Sequence, residues 1–305
     1  MRESSIERMA GPSGVQEDEK KKLVGEIGKE LFERAKNIEI EGEIPKTPEQ
    51  ILICELVDGY TGEIAEKYGG RNFTITPDHI RLTKKGDFEE AGGEFDPGRQ
   101  ITLIEPPRND LDFAYITAHE LLHFKSHGAM QVPMSKEMQI DMSYRVGLQL
   151  SSRDGTQVFF GALEEAVTEM LTKRLMEEKF KTDLKFASIH QVTDQLMQAN
   201  KTDMEQKGVV KSEVIFLDAN GDGRRYGYIN ERGGVEALID KLYIRNPTQF
   251  KNTEEVFEVF ARAKFTGNML PLGRLIEGSF GSGAFRKIAE ARKKTSELRD
   301  VVEAL

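Results

Sequence analysis

Cysteine is almost missing from this chain: Cys54 is the only one among 305 residues. No intrachain disulfide can form, and no cysteine-based zinc site can be built. Cys54 itself reads as a small buried residue of a helix, with masking of a metal as its alternative use. An excess of positive charge is missing too. Lys and Arg number 43 against 52 Asp and Glu, a formal net charge of −9. That balance argues against nucleic acid or an anionic membrane as the partner. No apolar run approaches the roughly 20 residues needed to cross a bilayer. The opening stretch, MRESSIERMAGPSG, has no apolar segment of the kind a secretory signal carries. A cytoplasmic location is the expectation. Tryptophan is absent, which decides nothing. Histidine is scarce, at five, so the placement of each one carries weight.

Two of the five lie in Leu111–Gly128 (LDFAYITAHELLHFKSHG), as His119-Glu120-Leu121-Leu122-His123. This is an H-E-x-x-H pattern. On a helix, residues four apart are one turn apart and offset by about 40°, so both imidazoles leave the same face and can meet on one metal ion. Glu120 lies about 100° round from His119, within reach of a water at the metal without being a ligand. The spacing suits zinc-activated hydrolysis. The helix is expected on separate grounds. Asn109 offers an N-cap, Asp112 places negative charge in the first turn, and Gly128 can stop it. Leu111, Ala114, Ala118, Leu121 and Leu122 form an apolar stripe for a core, while the histidine face looks into a cleft. His127 stands two turns beyond His119, a rise of about 12 Å. Zinc–nitrogen bonds are only about 2 Å long. His127 therefore reads as a polar helix-end residue and not a ligand.

Taken in order, residues 1–19 read as a flexible polar tail around Gly11-Pro12-Ser13-Gly14. Lys20–Lys36 has helical periodicity. Thr47-Pro48 starts a longer helix that Gly69-Gly70 closes. Asn72–Thr76 and His79–Thr83 alternate like short strands, Phe88–Gly98 reads as a glycine-rich loop, and Arg99–Glu105 alternates again just before the histidine helix. His79 and His190 read as packing or surface residues. After a methionine-rich stretch to Met142, Tyr144–Ser151 and Thr156–Phe160 flank a turn at Ser152-Arg153-Asp154-Gly155, a hairpin signature.

Gly161 then opens a helix, ALEEAVTEMLTKRLMEEKF. Glu165 and Glu169 are one turn apart on nearly one face, and Val167, Leu171 and Leu175 lie opposite. Alone, Glu164, Glu165 and Glu169 would read as solvated helix surface. A two-histidine site needs a third ligand, however, and no further suitable histidine exists. Glu165 can complete a His₂Glu set with the fourth position open to water. Glu169 can accept the free ring N–H of a ligating histidine. Further on, Leu184–Asn200 reads as helix and Val210–Leu217 as strand. Asp218-Ala219-Asn220-Gly221-Asp222-Gly223 opens like a calcium loop. Its eighth position is Arg225 and its twelfth is Ile229, so a turn is the better reading. Glu231–Tyr243, Glu254–Lys264 and Ala284–Ala304 look helical, and Leu272–Phe280 with Gly281-Ser282-Gly283 links the last two.

HELLH followed by LEEAVTEM resembles the gluzincin clan of zinc metallopeptidases. The central Glu of the clan's second motif matches Glu165 and its acidic follower matches Glu169, while Glu164 stands where the clan has Asn. The resemblance covers about Ile75–Glu177 and implies a minigluzincin-like catalytic core. The expectation is an α+β protein with a zincin-like core: a small mixed sheet, the histidine helix and the glutamate helix. N-terminal helices share residues 20–180 with it, and a mainly helical subdomain covers 181–305. Its expected activity is hydrolysis of peptide or protein substrates, with Zn²⁺ on His119, His123 and Glu165 and with Glu120 as general base. Many gluzincins use a Tyr or His after the Glu ligand to stabilise the oxyanion, which makes Tyr226 and Tyr228 candidates. The rival expectations are a catalytically silent, metal-holding binding or sensing module, and a zinc hydrolase for a non-peptide amide. An intact Glu120 counts against the silent module.

Overall fold

A computed structural model describes residues 4–10, 16–84, 92–131, 143–152, 154–206, 208–218, 220–293 and 295–305. Most of the methionine-rich stretch, residues 88–91 of the expected loop, the expected tail's residues 11–14, Arg153 and Ala219 lie outside them. The first half of the chain forms β1 (Ile6–Ala10), α1 (Glu17–Ala35), β2 (Glu43–Ile44), α2 (Pro48–Lys67), β3 (Ile80–Thr83), β4 (Gly93–Asp96), β5 (Ile101–Ile104), α3 (Asp110–Phe124) and β6 (Gly128–Gln131). Next come β7 (Ser143–Val146), β8 (Gln149–Ser151), β9 (Val158–Phe159), α4 (Gly161–Leu175), α5 (Ala187–Ala199), α6 (Lys201–Gln206), β10 (Val214–Leu217) and β11 (Gly223–Arg225). Five helices close the chain: α7 (Ile229–Arg245), α8 (Thr253–Thr266), α9 (Leu270–Phe280), α10 (Ala284–Glu290) and α11 (Glu297–Glu303). The architecture is mixed α+β. Among the described residues no helix is long and apolar enough to cross a membrane.

Local chemistry explains where the key helices begin. At α2, the Thr47 hydroxyl accepts the Gln50 N–H at 3.2 Å and the Gln50 side chain accepts the Thr47 N–H at 2.9 Å, with Pro48 in the first turn. This reciprocal cap satisfies two otherwise orphaned donors. At α3, the Asn109 side chain accepts the Asp112 N–H at 2.9 Å, and Asp110 and Asp112 place negative charge at the positive end of the helix dipole.

The expected single apolar stripe on α3 is corrected. Every residue from Leu111 to Phe124 is buried, because α2, α4, β4, β5 and β10 pack around the helix. The histidines therefore face a lined cleft inside the molecule.

Among the described residues three sheets flank α3 and α4, with strand orders β1-β6-β7-β8-β9, β2-β3-β5-β4 and β10-β11. Three expectations change here. The polar start of the chain is not all tail, since Ile6–Ala10 pairs in parallel with β6 and Ile6 and Met9 are buried. Asn72–Thr76 alternates but forms no strand. Within the expected glycine-rich loop, Gly93–Asp96 forms β4, antiparallel to β5. The sheet edge is thus β4, and Arg99–Glu105 supplies an interior strand. The expected hairpin is present as β8–β9, and a second turn at Gly147 splits Tyr144–Ser151 into β7 and β8.

Two apolar cores meet along α3 and α4. One packs α3 against α2, Phe180, Phe186 and Phe216. The other packs α4 with Tyr68 and Leu122 against α7, α8, α9 and α10. Residues after 180 thus contribute to both. The long helix expected at Ala284–Ala304 is two helices, α10 and α11. The glutamate helix passes at Met176–Phe180 into a π-helical turn.

Cys54 lies in α2 with no exposure, and burial pushes its thiol up to about 12. It sits in the core, away from the cleft, which removes the metal-masking alternative. Ellman's reagent at pH 8 is expected to leave the native protein unlabelled and to titrate one thiol after denaturation, because the thiolate is the reacting form. Rapid labelling of native protein would contradict this placement.

Candidate metal centre

His119 and His123 leave α3 one turn apart, and α4 crosses them with Glu165 between. The Nε2 atoms of the two rings are 3.2 Å apart, and Glu165 Oε2 is 3.4 Å from His119 Nε2 and 3.3 Å from His123 Nε2. All three residues are buried, and together they could hold a metal ion.

The ring protons lie elsewhere. His119 Nδ1 meets Glu169 Oε2 at 2.8 Å, and His123 Nδ1 meets Glu164 Oε1 at 2.9 Å. Carboxylates only accept, so each Nδ1 carries a proton and donates it. Both Nε2 lone pairs and one carboxylate oxygen then converge with no donor between them. Such a trio could hold a cation. Tetrahedral bonds of about 2.0–2.1 Å put neighbouring donors about 3.3–3.4 Å apart, close to the observed edges.

The surrounding charges agree. Burial opposes charge on His119, yet hydrogen bonds and attraction from Glu165 and Glu169 outweigh it and raise the pKa to about 10. Burial also opposes ionised Glu165, but His123, His119 and Lys293 hold it well below the usual carboxylate range. Its second oxygen, Oε1, accepts from Lys293 Nζ at 2.6 Å.

Glu169 is fully buried and anchored from behind. Its Oε1 accepts the Tyr115 hydroxyl and the Gly227 N–H, each at 2.8 Å. Glu164 departs from the solvated surface its sequence suggested. It accepts from His123, from Leu148 N at 2.7 Å and from the buried ammonium of Lys264. Burial disfavours its charge, but Lys264 and His123 bring its pKa down to about 2. The turn at Gly147 presses on this carboxylate. Its φ is +57°, and an added Cβ would lie 2.4 Å from Glu164 Oε2, so only glycine fits.

Glu120 stands beside the triad, against β4. Burial raises its pKa, and the Phe95 backbone N–H is among its contacts. A Cβ on Gly93 would fall 2.9 Å from Glu120 Cγ, so glycine lets the strand approach this carboxyl. The cleft holds about 440 Å³ and is lined by β4 on one side and by Arg145, Gln149, Tyr228 and Lys293 on the other.

The tyrosines separate. Tyr228 lines the cleft, its ring stacked on His119 with centroids 5.7 Å apart. It has a left-handed backbone, φ 50°, at the start of α7, a strained conformation of the kind that collects at functional sites. Tyr226 does not line the cleft: its ring packs on Tyr115, beneath Lys173. His127 is buried beyond the helix end, its Nδ1 3.5 Å from Glu7. His79 packs on Phe32 and His190 meets the Phe180 carbonyl, so neither joins the triad.

Lys264 and Lys293 were missed in the sequence. Lys264 had a visible signal, because it continues the apolar face of Phe257, Phe260 and Ala261, where a cation needs a buried partner. Lys293 had none, since it reaches Glu165 from a connection between helices.

Glu169→Ala should still bind metal but about 10–100-fold more weakly, because it removes the partner that orients His119. A competition titration checks this. Loss as complete as in His123→Ala would make Glu169 a ligand. Compared with known proteins, the chain matches no protein-family model, no curated protein and no solved structure.

Proposed function

We propose that this chain is a zinc-dependent peptidase of the gluzincin type, built on a zincin-like core. The observation that carries the reading is the convergence of His119, His123 and Glu165 with the buried Glu120 on one cleft. A His₂Glu set that leaves a fourth position open suits a catalytic zinc, which when bound supplies Lewis acidity and brings the pKa of water toward neutrality. Glu120 takes the proton of the attacking water and passes it to the leaving amine, and its raised pKa suits both tasks. Tyr228 and Lys293 are two donors lining the cleft that can face the developing oxyanion.

The substrate is an extended peptide. Among the described residues β4 ends its sheet, and its residues Gly93, Glu94 and Phe95 line the cleft. A peptide can add there as a further strand and bring its carbonyl past Glu120.

The test is metal content together with cleavage of a peptide library by wild type and Glu120→Gln. Metal binding without cleavage by wild type would favour a sensing module, and cleavage of simple amides alone would favour a non-peptide hydrolase.

A further inference from the structure

Nothing in the proposed chemistry uses Lys264, yet its ammonium is completely buried. Removing such a charge from water is costly and leaves it dependent on its partners. Lys264 Nζ donates to Glu164 Oε1 and, at 2.7 Å, to Thr168 Oγ1. The Thr168 hydroxyl proton points to the Glu164 carbonyl at 2.8 Å, so its oxygen is turned to receive the lysine. Glu164 Oε1 is also the atom that accepts from His123 Nδ1. One carboxylate oxygen therefore joins an ammonium on α8 to an imidazole on α3.

The end of α8 is fixed in place from both sides. The His127 N–H donates to the Lys264 carbonyl at 3.2 Å. Arg145 donates to the Gly267 carbonyl at 2.6 Å and to the Ala263 carbonyl at 3.4 Å. The two histidines differ in how they are backed. The carboxylate behind His119 is anchored by neutral donors, Tyr115 and Gly227. The one behind His123 is anchored by a backbone N–H and a full positive charge.

We propose that Lys264 is a positioning residue of the metal centre. It holds the Glu164 carboxylate against His123 Nδ1 and so keeps the ring in the tautomer and orientation that present Nε2 to the ion. The inference rests on the reading of the triad as a metal site.

Zinc affinity, measured by competition with a chromophoric chelator, tests it in wild type, Lys264→Met, Glu164→Gln and the double variant. Circular dichroism and thermal melts report folding of each. Lys264→Met should bind zinc about 10–100-fold more weakly. The double variant should bind no more weakly than the weaker single, because both act through one carboxylate. Folding stability should behave differently. Breaking a buried pair destabilises, whereas replacing both partners restores much of the loss. A double variant that recovers stability but not affinity supports positioning. One that recovers both overturns it, since the pair would then serve packing alone. Wild-type affinity in folded Lys264→Met overturns it as well. If Lys264→Met does not fold, the double variant decides: affinity 10–100-fold below wild type supports the proposal, and wild-type affinity overturns it. A wild-type protein that takes up no zinc, like His119→Ala, would instead defeat the metal site and Lys264's role with it.

Discussion

Glu120→Gln is expected to lower peptide hydrolysis by about 10²–10⁴-fold, the usual contribution of a positioned general base, while zinc uptake stays at the wild-type level. Glutamine keeps the shape of the side chain that β4 approaches at Gly93, and its carbonyl oxygen can still accept from the Phe95 N–H. It cannot accept the water proton at neutral pH. The residue offers no atom to the triad, whose donors are His119, His123 and Glu165, so the ion should be indifferent to the change. Cleavage of the same peptides at near-wild-type turnover would place the proton acceptor elsewhere and undo the mechanism. Equal loss of zinc would do different damage, by making Glu120 part of the ligand set.

Glu165→Ala is expected to abolish zinc binding in the concentration range where wild type saturates. Removing a ligand should cost more than the 10–100-fold typical of an orienting partner. The variant leaves two imidazoles 3.2 Å apart at Nε2 without the Glu165 carboxylate between them. It also removes the carboxylate oxygen that Lys293 Nζ meets at 2.6 Å. Thermal melts give an independent readout. Ligand at a thousandfold excess over Kd stabilises a folded protein by about 4 kcal/mol, so zinc should raise the melting temperature of wild type and leave that of Glu165→Ala unmoved. An equal zinc-induced shift in both would eliminate Glu165 as a ligand and turn attention to Glu164, its neighbour on α4.

The triad was legible because a helix converts spacing into direction. His119 and His123 had to share a face, and Glu165 and Glu169 likewise, wherever the two helices were put. The helix starts at Thr47 and Asn109 were legible for the same local reason: caps are chosen by neighbouring backbone groups. What the sequence concealed depends on contacts far along the chain. Gly93–Asp96 looked like loop because its strand identity comes from pairing with β5. Ile6–Ala10 looked like tail because its partner, β6, lies more than a hundred residues on. Glu164 looked like solvated helix because its counter-charge, Lys264, belongs to α8. Tyr226 and Tyr228 alternate in a short segment, so position alone could not say which faced the cleft; the turn into α7 sends Tyr228 there and Tyr226 to the core.

Lys264 also sets an order in time. At ribosomal rates of about 5–20 residues per second, roughly 7–28 s separate the emergence of His123 from that of Lys264. For that interval the two histidines can be synthesised, and even wound into their helix, while the carboxylate behind His123 has no ammonium to hold it. An ion captured then would sit in loosely held hands. If Lys264 positions the site as proposed, the centre would reach its final grip only when α8 docks, so firm metal loading should trail synthesis of the histidine helix and coincide with closure of the C-terminal helices.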